Sequence, residues 1–93
     1  GGIKMRAVIT VLGKDMVGIL AKVSAICAEN GVNVLEVTQS VLQDLFAMIM
    51  LVDIQNCKVP FSQLADRFTA LGEQEGLTIH VMHEDIFNSM HKI

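Results

Sequence analysis

Ninety-three residues, 52% hydrophobic and 18% charged, suit one domain with a real core and argue against a disordered chain. A net charge of −3, no Trp, no Tyr and only four Phe argue against direct nucleic-acid binding, which needs a basic surface and stacking rings. The longest apolar run, Leu45 to Val52, falls far short of the roughly 20 residues of a bilayer span, so a cytoplasmic protein without a membrane partner is expected.

Gly1 to Lys4 lacks signal-peptide character and reads as a non-native extension before a native start at Met5, placing a single domain at residues 5–93. Met5 to Leu12 is β-branched and apolar without helical period, and predicts a buried strand. After Gly13-Lys14-Asp15, the residues Ile19, Leu20, Val23, Ile26 and Cys27 form one face of a helix. Asn30-Gly31 ends that helix, Gly taking the left-handed position beyond its last turn. Val32 to Val41 and Phe46 to Ile54 read as two strands of a hairpin around Gln43-Asp44. Pro60 suits the start of a second helix that buries Phe61, Leu64, Ala65, Phe68 and Leu71, and Gly76 closes it before a fourth strand, Leu77 to Met82.

The order β-α-β-β-α-β is the ferredoxin-like pattern of the α+β class. It predicts a four-stranded antiparallel sheet with two helices on one face. Residues 84–93 add a short C-terminal helix with Ile86, Phe87, Met90 and Ile93 on one side; Glu84 and Asp85 start it, His91 and Lys92 end it. The third strand is apolar on both faces and the first nearly so, yet two helices cover only one. Either the C-terminal helix or a second copy of the chain should cover the other, and a homodimer is the expected outcome.

Cys27 and Cys57 have neither the density of a disulfide framework nor the companions of a zinc site, and read as reduced thiols, one buried and one in a loop. His80 and His83 point to opposite faces of a strand, so they form no metal site. No nucleophile elbow, phosphate loop or acid–base constellation is present, and neither an enzyme nor a cofactor is expected.

The junction Gly13-Lys14-Asp15-Met16-Val17-Gly18 is different. It opens a helix whose first N–H groups lack intrahelical partners and attract anions. Gly18 would allow close approach of a ligand, and Asp15 could take an ammonium, so together they fit an α-amino acid. Equally, Asp15 could simply cap the helix, with Gly13 as a turn residue.

The junction GKDMVGIL, the helix end AENGVNV and the element order resemble an ACT domain, the regulatory module of many amino-acid metabolic enzymes. The resemblance spans about Met5 to Met82 and lies nearest the stand-alone bacterial ACT proteins related to the glycine cleavage repressor. It implies a ligand held between two domains: by Gly13, Lys14, Asp15, Met16, Val17 and Gly18 of one, and by Asn33, Val34 and Leu35 of the other. Asn33, whose amide both donates and accepts, also suits a purely local bond at the strand entrance. Asp15 stands where serine-binding members often carry Asn, and Val17 where Pro is frequent. Two functions are therefore expected: a homodimeric sensor of a small amino acid signalling to an unknown protein partner, or an interaction module without a small-molecule ligand.

Overall fold

A computed structural model describes residues 5–15 and 17–90. Along the chain come β1 (Arg6–Gly13), α1 (Ile19–Glu29), β2 (Asn33–Leu42), β3 (Leu45–Asp53), α2 (Phe61–Glu75), β4 (Thr78–His83) and α3 (Glu84–Met90). The strands make one antiparallel sheet in the order β2-β3-β1-β4, the ferredoxin-like arrangement. The two strands that read as apolar on both faces, β1 and β3, are the central pair.

Strand alternation divides the sheet cleanly. Ala7, Ile9 and Val11 of β1 and Met48, Met50 and Val52 of β3 are fully buried in one core with Ile19, Val23 and Cys27 of α1 and Leu64, Phe68 and Leu71 of α2. Leu20, grouped with the buried stripe of α1 from its sequence position, is instead exposed, because one residue along a helix turns the side chain about 100° from Ile19. Asn30 and Gly31 end α1 as expected: Val32 N–H reaches the Cys27 carbonyl at 2.8 Å, and Asn30 Nδ2 donates to the Ile26 carbonyl at 2.8 Å. Pro60 stands at the N-cap of α2, and Gly76 closes that helix.

The opposite face behaves differently. Val8, Thr10 and Leu12 pair with Leu51, Ile49 and Ala47 there. Val8, only 3% exposed, lies outside the main core cluster. α3 packs against β1 and β4 and is tied to β1 by the Arg6–Glu84 ion pair at 2.8 Å. The C-terminal helix therefore adheres to its own subunit. It nevertheless buries no residue completely, and Ile86 and Met90 of its apolar side stay exposed. His91, Lys92 and Ile93 lie outside the described residues. Leu12, Leu45 and Ile49 remain 37–40% exposed, so α3 does not cover the face.

Both cysteines are free, Cys27 buried and Cys57 half-buried against the same core. Burial pushes the Cys27 thiol from its ordinary 9.0 up to about 11, with Cys57 adding to the effect. The raised value means that the folded state holds a proton the unfolded state releases. Stability is thus full below about pH 9 and falls as the pH rises toward 11. Urea titrations at pH 8 and pH 10 should show this loss, and Cys27→Ala should flatten that part of the slope.

Candidate functional site

Gly13 closes β1 opposite Phe46 of β3, and the chain then leaves the sheet through the loop to α1. Leu77 fills the space that a Cβ on Gly13 would need, so Gly13 serves β-sheet packing rather than a turn. Asp15 does not cap α1. Its Oδ1 accepts the Val17 N–H at 3.0 Å, which folds the loop locally, while the N-cap is Gly18, three residues after Asp15. Gly18 has φ +75° and no side-chain cap for the helix; a Cβ there would meet nothing within 4 Å. Its requirement is therefore conformational rather than one of close approach within the subunit. The first turn of α1 keeps N–H groups without a side-chain acceptor, since Asp15 spends Oδ1 on Val17 N–H, ahead of the N-cap. Met16 lies outside the described residues.

Pairing of Gly13 with Phe46, and of Phe46 with Val41, brings the ends of β1, β3 and β2 together beneath this loop. Between them runs a groove of about 530 Å³ lined by Asp15 and Val17 from the loop, Gln39, Ser40 and Val41 from β2, and Phe46 and Ala47 from β3. Its apolar walls are open: Val17 is 90% exposed, Val41 58% and Phe46 38%. Lys14 lines an adjoining hollow of about 490 Å³ with Leu12, Glu75 and Thr78, which shares Asp15 with the groove. The hairpin residues of the groove escaped the sequence reading, because only the strand register shows that they meet the loop.

Asn33, Val34 and Leu35 lie elsewhere. Asn33 pairs with Asp53, which pairs with Arg6, so they stand at the opposite end of the sheet. Seven rises of β1 separate that end from the loop, about 24 Å at ~3.4 Å per residue. Asn33 and Leu35 are exposed, Val34 packs on the core, and the pairing slips between Val34 and Glu36, leaving Leu35 as a bulge. One subunit thus holds the two halves of the expected site apart.

His80 pairs with Thr10 on the outer face, whereas His83 stacks on Phe61 of α2 with ring centroids 4.0 Å apart. Among the described residues no three His, Cys, Asp or Glu side chains are grouped to hold a metal, and no helix is long and apolar enough to cross a membrane.

A family model for the ACT domain matches residues 5–82. The chain belongs to the ACT domain family. That family consists of regulatory modules that often bind amino acids. The chain is 48% identical over 88 residues to a UPF0237 protein of Methanocaldococcus jannaschii, covering 95% of this chain and 98% of that one. It is 51% identical over 89 residues to a UPF0237 protein of Clostridium perfringens, covering 96% and 100%. Among solved structures it is similar to an ACT domain protein from Streptococcus pneumoniae, with TM-score 0.78, 38% identity and coverage of 91% and 96%. A structure assigned as a glycine cleavage system transcriptional repressor shares the fold at TM-score 0.67 and 21% identity, over 88% of this chain and 47% of that one.

Proposed function

We propose that this ACT domain is a non-catalytic amino-acid sensor that works as a homodimer and signals the ligand's presence to a protein partner in amino-acid metabolism. The groove beneath the β1–α1 loop carries this reading, because Asp15 and Val17 line it from the loop that leads through Gly18 into the uncapped start of α1. An ammonium suits Asp15, and a carboxylate suits the first-turn N–H groups. Reversing the ligand would press its carboxylate against Asp15.

The edge position of β2 supports the dimer. Two β2 edges paired antiparallel about Val37 set Asn33 of the partner subunit beside Val41, and Leu35 of the partner subunit beside Gln39, to within a residue. That pairing closes the groove with the residues that lie about 24 Å away within one subunit. Each site then contains parts of both subunits, so occupancy and dimerisation reinforce one another.

A free amino acid at about −1 kcal/mol per heavy atom would bind with roughly 10 μM to 1 mM affinity, the range of a metabolite-pool sensor. The test is a thermal-shift screen against the twenty amino acids up to about 10 mM. A ligand at 100 times its Kd adds ~2.7 kcal/mol, a rise of several degrees. Asp15→Ala should abolish that shift while costing about 1 kcal/mol or less of intrinsic stability, the value of its one bond to Val17 N–H. Light scattering should give a dimer mass that the ligand strengthens.

The exposed Leu12, Leu45 and Ile49 favour a second reading, an interaction module that docks a protein on the open sheet face. Absence of a shift with every amino acid would select it.

A further inference from the structure

We infer that the groove selects an amino acid with a large apolar side chain, and that Val41 and Phe46 are its specificity-determining residues. This rests on the amino-acid-sensor reading above and departs from the small ligand expected from the sequence.

With the ligand's ammonium on Asp15, its side chain enters the rest of the same groove. The apolar side chains there are Val17, Val41 and Phe46, while Ala47, on the opposite face of β3, lines the groove through its backbone. Val41 and Phe46 share the helix side of the sheet with Met48 and Met50, but lie at the far end of the hairpin, where they keep substantial exposure. An apolar side chain laid along them removes apolar surface from water on both partners; a glycine or serine leaves those walls wet. The volume, about 530 Å³, also exceeds what a one-carbon side chain needs.

Charge narrows the choice further. Among the described residues Asp15 is the sole ionised one lining the groove, so none of them there pairs with an acidic side chain. Lys14 lines the adjoining hollow shared with Glu75. A basic side chain would compete with the ligand's own ammonium for one carboxylate. Gln39 already donates through Nε2 to Met48 Sδ at 3.9 Å, and Ser40, paired with Ala47, stands on the opposite face of the sheet, so neither reads a polar ligand group well.

Calorimetric titration of the full chain with Leu, Met, Phe, Ser and Gly decides the matter. The expected result is binding of Leu, Met or Phe at least tenfold tighter than Ser or Gly, which is about what one or two methylenes in an apolar pocket supply. Phe46→Ala should erase that preference. Val41→Thr, which keeps the β-branched shape at an exposed position, should reduce it severalfold and carries the test if Phe46→Ala fails to fold. Ser or Gly binding as tightly as Leu, with no change in Val41→Thr, overturns this inference and leaves the sensor standing. Binding of none of the five, while a polar or charged amino acid gives an Asp15-dependent thermal shift, overturns the inference alone, whereas a shift with Ile, Val, Tyr or Trp supports it. No shift with any of the twenty overturns both.

Discussion

Phe68→Ala should lower stability by about 3–5 kcal/mol, the range for deleting a buried aromatic ring. Phe68 is the largest of the fully buried side chains, and it lies in the core that α1 and α2 share with β1 and β3. A domain of this length has a total stability of roughly 5–14 kcal/mol, so the loss takes a large fraction of it. The midpoint of thermal unfolding should fall by roughly 15–30 °C, followed by circular dichroism. Thr69, the next residue, is exposed and spends its hydroxyl on the Ala65 carbonyl at 3.0 Å. Thr69→Ala should change stability by no more than about 0.5 kcal/mol. A Phe68→Ala loss below about 1 kcal/mol would mean that α2 is not anchored to the sheet through this ring.

Phe68 was legible before any coordinates, because Phe61, Leu64, Phe68 and Leu71 keep helical spacing between Pro60 and Gly76. The same holds for the central strands: the doubly apolar β3 has only one comfortable place, between neighbours. Leu20 was misplaced since adjacent apolar residues are indistinguishable by composition, and the exact helical phase puts only Ile19 inward. The alternative that makes Asp15 a helix cap fails for a related reason. An Asp ahead of a helix is the usual cap, but α1 starts beyond Gly18, and the carboxylate reaches only as far as Val17 N–H.

The candidate site divides along the same line. Its loop half, Asp15 to Gly18, is a local feature with local signals: a carboxylate, a glycine and a helix start. Its hairpin half depends on Gly13 meeting Phe46 and Phe46 meeting Val41, a long-range register that no short window contains. The Leu35 bulge is equally invisible locally, yet it changes which β2 side chains share a face with Met48 and Met50. Alternation read straight on from Val34 therefore assigns Glu36 and the residues after it to the wrong side.

Gly31→Ala should cost about 2–4 kcal/mol, more than the backbone conformation alone explains. Gly31 has φ +73°, and a non-glycine residue in that region costs roughly 1–2 kcal/mol. A Cβ there would also lie 2.6 Å from the Asn56 carbonyl oxygen, a backbone atom that cannot swing aside. Relieving the clash moves the β3–α2 loop and strains the 2.8 Å hydrogen bond from Lys58 N–H to the Asn30 carbonyl, adding about 1 kcal/mol or more. Gly18→Ala supplies the control. Its φ of +75° carries the same intrinsic cost, but open space surrounds the new methyl. The difference between the two variants in urea titrations isolates the steric part, and equal losses would show that the 55–58 loop yields freely. Ligand binding should separate them in another way. In the proposed dimer Gly18→Ala perturbs the loop half of the site directly, whereas Gly31 precedes Asn33 by two residues and would act on the half given to the other subunit. In mixed dimers one copy of each variant should then leave one site with both defects and one with neither.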